Sequence, residues 1–167
     1  MYSVFIKSLI KKGLHSVFQP LELTMAISFF TYSTYHSFSL SEYPFSTKCN
    51  SQNVRFIYTI ELEELTVDEV LFSSILSNAL DNALNAQKEL SVSLRTIRLI
   101  LKSAHNKLLL SVENPVAKQP LFSDGLPVTN EKGHGYGTQS IRYMTEHLGG
   151  NCQFLTQDNT FTLRVII

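Results

Sequence analysis

Asn78, Asp81, Asn82 and Asn85 lie on a stretch, Val70 to Ala86, that is otherwise apolar and helix-forming. At about 100° per residue these four side chains fall within roughly a 100° arc, while Phe72, Leu76, Ala79, Leu80, Ala83 and Leu84 take the far side. Three carboxamides and a carboxylate, with no Lys or Arg among them, are costly to bury unless hydrogen-bonded or bound to a cation. A ligand or a metal ion suits such a stripe. The alternative is an ordinary solvated helix face, but those faces usually carry Lys, Glu and Arg rather than Asn.

A second candidate lies downstream in KGHGYGTQSIRYMTEHLGG, where Gly133, Gly135 and Gly137 alternate; six of the chain's seven glycines fall between Gly125 and Gly150. Alternating glycines let a backbone approach a ligand closely and turn its N–H groups inward as an anion cradle. Thr138 to Leu148 then reads as a helix, with Ile141, Met144, Thr145 and Leu148 on one side and Gly149 and Gly150 as stop signals. A glycine loop opening onto a helix N-terminus can hold phosphate through orphan N–H groups and the helix dipole. A flexible hairpin or linker is the competing explanation. Two familiar phosphate motifs are excluded by spacing: GxGxxG needs a glycine where Thr138 stands, and no GxxxxGK[ST] occurs.

The elements that must position these residues belong to a chain of 167 residues, 44% hydrophobic, long enough for one domain with a sizeable core. The 14 acidic and 14 basic residues balance, and Lys11 and Lys12 form the longest basic run. Nucleic-acid binding is therefore disfavoured, because neutralising phosphates needs a concentrated basic footprint. Cys49 and Cys152 are too few for a disulfide framework or a CxxC metal site, and both read as reduced thiols of a cytoplasmic protein. The five histidines form no HxH or HExxH pattern, so zinc chemistry has little support. The uncharged stretch Leu23 to Leu40 is rich in hydroxyls and contains His36, which argues against a membrane span. No small-residue cleavage site marks a signal peptide.

Residues 1 to about 50, interrupted by Gly13, Pro20 and Pro44, read as a helical or partly disordered leader. From residue 51 to 167 the signals sharpen. Val54 to Ile60 alternates like a strand, and Thr66 with Glu69 suggests a capping box opening the polar-striped helix, which accounts for the acidic patch Glu61 to Glu69 without catalysis. Arg95 to Lys102 and Lys107 to Glu113 read as a hairpin turning near Ala104 to Asn106, its second strand stopped at Asn114 and Pro115. Val116 to Lys132 shows no periodicity and reads as disordered or as a ligand lid. Asn151 to Thr156 and Phe161 to Ile167 form a last hairpin around Asp158 and Asn159. The order predicts an α+β fold: a two-layer α/β sandwich with a mostly antiparallel mixed sheet and helices on one face.

LSNALDNALNA, SVENP and GHGYGTQSIRYMTEHLGG, in that order, resemble the motifs of the GHKL superfamily shared by gyrase, heat-shock chaperones, histidine kinases and mismatch-repair ATPases. More narrowly they resemble the ATP-binding domain of AgrC-like peptide-pheromone (quorum-sensing) sensor kinases, over roughly Asn53 to Ile167. The resemblance implies a Bergerat-type fold that binds ATP. It makes Asn82 the Mg²⁺ ligand, with Asn78 positioning water or the phosphates as a catalytic residue. Asn85 stands where related kinases often carry a basic residue or a carboxylate, and Asp81 is implied to be structural. Asn114 takes the place of the adenine-recognising aspartate and is followed by Pro115, with neither of the family's two glycines present. Gly133, His134, Gly135, Tyr136, Gly137 and Thr138 match the glycine box over the phosphates.

In this group the phosphorylated histidine lies upstream of the asparagine helix. No acceptor motif precedes Asn53, and His15 lacks the acidic and asparagine neighbours expected there. The resemblance thus implies a kinase domain acting on a histidine in a separate segment or protein, with a response regulator as a further partner. A non-catalytic nucleotide-binding interaction module and an anti-sigma-type serine kinase are the alternatives.

Overall fold

The computed structural model describes residues 44–61, 67–128 and 136–167. In chain order the elements are α1 (Pro44–Ser51), β1 (Arg55–Glu61), α2 (Glu69–Ala86), β2 (Thr96–Ala104), β3 (Lys107–Pro115), β4 (Leu121–Ser123), β5 (Leu126–Val128), α3 (Tyr136–His147), β6 (Asn151–Gln157) and β7 (Thr160–Ile166). Two short 3₁₀ turns, Gln87–Glu89 and Val92–Leu94, join α2 to β2.

Five strands form one sheet in the order β1-β2-β3-β7-β6; β1 pairs with β2 in parallel and every other pairing is antiparallel. Period-two alternation gives the sheet one apolar face. Ile97, Leu99 and Leu101 of β2, Leu108, Leu110 and Val112 of β3, and Leu163 and Val165 of β7 are buried there. Helices α2 and α3 pack on each other and on this face. The opposite face carries ion pairs: Arg98 with Glu113 at 3.8 Å and Lys102 with Glu61 at 2.9 Å. This is the mixed two-layer α/β sandwich that the pattern of elements predicts.

Local chemistry accounts for the ends of the elements. His105 with Asn106, and Asp158 with Asn159, take positive φ in the two-residue turns β2–β3 and β6–β7, a conformation that matches the right-handed strand twist. Gly149, at φ +74°, ends α3: its amide donates to Glu146 O, and Gly150 N–H reaches Thr145 O, a Schellman cap. Gln87, fully buried, donates to Ala83 O and accepts from Thr96 N–H, both at 3.0 Å, and so ties the end of α2 to the start of β2.

Four expectations need correction. The cap of α2 is Asp68, whose carboxylate accepts from the amides of Val70 and Leu71 at 3.0 Å each, and Thr66 of the expected capping box lies outside the described residues. Strand β3 runs two residues past the expected Glu113 and ends, as expected, at Pro115, the last paired residue, opposite Thr160, where a missing N–H costs little. The segment 116–132 is not structureless throughout, since β4 and β5 pair as a small hairpin turning at Asp124 and Gly125. Helix α3 starts at Tyr136, two residues before the expected opening at Thr138.

Helix α1 joins the core through Phe45 and Cys49, so the described core starts a few residues before the boundary expected near residue 50. Among the described residues no helix is long and apolar enough to cross a membrane, and Leu23 to Leu40 lies outside them, as does His15.

Candidate functional site

The polar stripe of α2 divides by neighbour. Asn78 and Asn82 are half-buried one turn apart, while Asn85 is exposed. Asn82 faces α3: a Cβ added to Gly137 would stand 3.0 Å from both Nδ2 and Oδ1 of its carboxamide. The two motifs, separate in sequence, therefore meet in space. Asp81 turns the other way and pairs with Lys48 of α1 at 3.6 Å. Asn85 Oδ1 accepts from Lys88 Nζ at 2.8 Å.

Asn114 occupies the end of β3 on the apolar face. Leu108, Leu110 and Val112 alternate along the same strand, and Asn114 continues that series with 3% of its surface exposed. Its Nδ2 donates to Pro115 O at 2.9 Å. A carbonyl oxygen can only accept, so this contact orients the carboxamide and places the acceptor Oδ1 at its other end. Phe161 of β7 lies beside Asn114 in register, with Thr156 of β6 beyond it. The Thr156 hydroxyl is buried with no hydrogen-bond partner.

Of the glycine box, Gly137 and Thr138 lie in the first turn of α3 and are half-buried. Tyr136 begins that helix. Gly133, His134 and Gly135 lie outside the described residues. Among the described residues no cluster of His, Cys, Asp and Glu could hold a metal. An oxygen donor for a hard cation near Gly137 would thus come from a carboxamide such as that of Asn82.

Arg142 is a residue that the sequence reading passes over. It sits one turn after Thr138, and its guanidinium donates to the carbonyl of Asp124 at 2.8 Å. A basic residue one turn into the helix behind the glycine box is the signal that could have drawn attention to it. Arg142 also lies near enough to Cys152 of β6 to act on its thiol. Burial pushes that thiol's pKa up, Arg142 opposes the shift, and Glu146 adds to it. At Cys49 burial alone pushes the pKa up to about 12, so that thiol is inert as a nucleophile near neutrality.

Two helices, α2 and α3, stacked on one face of a mixed five-stranded sheet are also the fold of solved histidine kinase catalytic domains. The nucleotide-free catalytic domain of histidine kinase ThkA superposes with a TM-score of 0.58 at 22% identity, over 74% of this chain and 85% of that one. Mycobacterial sensor histidine kinase MprB gives 0.55 at 12% identity over 73% and 86% of the two chains. Histidine kinase AdeS of Acinetobacter baumannii gives 0.52 at 14% identity over 98% and 83%. At these identities the likeness is one of fold. Residues 68–167 match the GHKL domain family, and the chain belongs to that family. No curated protein sequence matches it at a significant level.

Proposed function

We propose that this chain is the ATP-binding catalytic domain of a cytoplasmic sensor histidine kinase of the AgrC-like peptide-pheromone group. It transfers the γ-phosphate of ATP to a histidine on a separate segment or protein, which then serves a response regulator. The juxtaposition of Asn82 and Gly137 carries this reading. Glycine at 137 keeps clear the space beside the carboxamide that a Cβ would fill, and oxygen donors suit Mg²⁺. When bound, the cation neutralises charge on the phosphates.

In this reading Asn82 holds the cation and Asn78, one turn earlier, orients the phosphates or a water. Asn114 accepts a hydrogen bond from the exocyclic amine of adenine through Oδ1. The first turn of α3, with Gly137 and Thr138, offers backbone N–H groups to phosphate, in concert with Gly133, His134, Gly135 and Tyr136. Asn85 lies at the outer end of the same helix face. Positioning and charge stabilisation carry the chemistry while the acceptor histidine attacks in line.

Titration of the purified chain with ATP, with and without Mg²⁺, tests the assignment. Mg²⁺-dependent binding that Asn82→Ala abolishes is expected; unchanged affinity in that variant refutes it. Phosphate transfer from labelled ATP to a separately supplied histidine domain then separates a kinase from a non-catalytic nucleotide-binding module. Acid-stable label on serine would instead mark an anti-sigma-type kinase.

A further inference from the structure

We propose that β1 is a docking edge for a second copy of this chain, the two β1 strands pairing antiparallel about Tyr58. Strand β1 stands at one end of the sheet, with β2 on one side and, among the described residues, no strand on the other. Its seven residues, RFIYTIE, contain neither Pro nor Lys and pair with β2 in unbroken register. A regular, apolar edge of this kind is a template for another strand, because its outward backbone groups await partners.

The direction of those groups follows from the ladder. Arg55 N–H donates to Arg95 O at 3.0 Å, so Arg55 faces β2, and by the alternation along a strand Ile57, Thr59 and Glu61 do the same. The N–H and C=O groups of Phe56 and Ile60 therefore point away from the sheet. Two copies in antiparallel contact can hydrogen-bond only where outward residues meet outward residues. In the register of complete overlap, Phe56 lies opposite the partner's Ile60, Tyr58 sits on the two-fold axis, and Arg55 lies opposite the partner's Glu61.

Both faces of the joined sheet are then complementary. Phe56 and Ile60 pack against the core on the helix side, so their pairing extends the apolar layer. Arg55 and Glu61 are exposed on the opposite, polar side. Arg55 makes no ion pair among the described residues, and Glu61, 2.9 Å from Lys102, has a second carboxylate oxygen to offer. The two-fold makes this contact twice. A slip of two residues sets Arg55 against the partner's Thr59 or beyond the overlap, and both charge pairs are lost. The other sheet edge, β6, has no charged residue to fix a register in this way.

Such an edge is small, so the association is concentration-dependent. Sedimentation equilibrium of the full chain over about a hundred-fold range of concentration reads it, and amide exchange at Phe56 and Ile60 slows as dimer forms. Arg55→Glu sets like charges opposite each other at both ends and weakens dimerisation by at least about ten-fold, as does Glu61→Arg. An equimolar mixture of the two variants regains the wild-type association, because each strand then meets its complement; a folding defect would not be rescued by mixing. A wild type that is monomeric at every concentration overturns the inference. So does a dimer that both single variants leave intact, or a mixture that fails to recover. No arm contains nucleotide, so the outcome is separate from that of the ATP assignment.

Discussion

Gly137 approaches Asn82 so closely that the smallest side chain at position 137 would press on the carboxamide, with both terminal atoms 3.0 Å from a Cβ. The contact joins residues 55 positions apart in sequence, and it brings the asparagine helix and the glycine box into one place.

Gly137→Ala is expected to separate stability from binding. Alanine is favoured over glycine by about 1 kcal/mol inside a helix, so the thermal midpoint holds or rises. The added methyl displaces the flexible Asn82 carboxamide, and Mg²⁺-ATP affinity falls by at least about ten-fold, on the order of 1.4 kcal/mol. Calorimetric melting and nucleotide titration on one sample check both halves; wild-type affinity in the variant removes Gly137 from the site.

Asn114→Asp, although closer to the family's aspartate, is expected to destabilise this chain. Asn114 Nδ2 donates to Pro115 O, and a carboxylate cannot. A buried acceptor facing an acceptor costs roughly 1–3 kcal/mol. Burial and that carbonyl raise the new carboxyl's pKa in the folded state, so its proton is held there more tightly than in the unfolded chain. The protonated form can donate to Pro115 O, and the deficit grows as pH rises above the unfolded value of about 3.9. Denaturant melts of variant and wild type at pH 4 and pH 7 read this; a gap that does not widen with pH contradicts it.

Cys49 makes the fold sensitive to alkali. Its folded pKa is raised from 9.0 to about 12, so its contribution to stability is complete below pH 9 and is lost as pH climbs from there to 12. The slope is about 1.4 kcal/mol per pH unit within that window. Cys49→Ala should flatten this limb of the stability profile, and in the native wild type the thiol should resist a maleimide at pH 8 until denaturant is added.

Asp68→Ala removes the side-chain cap of α2, which satisfies two helix-end amides. A loss of about 1 kcal/mol is expected in urea unfolding. Asp81→Ala, which breaks the partly exposed pair with Lys48, should cost less than about 1 kcal/mol. The reverse ranking would mean that the α1–α2 contact is more important to the fold than the helix cap.

Much of the fold was legible in local patterns. The hairpin around His105 and Asn106 and the one around Asp158 and Asn159 are where turn chemistry places them, and Gly149 ends α3 as its position implies. Such signals operate within a few residues and do not depend on what packs above them. The β4–β5 hairpin was not legible, because three-residue strands carry too few alternations to show a period. The cap of α2 is ambiguous in sequence for a related reason: Thr66 and Asp68 are both competent cap residue types, and only the helix geometry selects Asp68.

By itself the sequence determined the order and type of the main elements, the side of each that is apolar, and the two polar motifs that set this chain apart from a plain α/β domain. These follow from periodicity and from backbone preferences, which are properties of short segments. Tertiary structure alone decided how the stripe is shared out between neighbours, with Asn82 against Gly137 and Asp81 against Lys48. It also decided that Asn114 ends an apolar row and that Arg142 reaches Asp124. Contacts across 18 to 55 residues depend on strand register and helix packing, which arise only when the whole core closes.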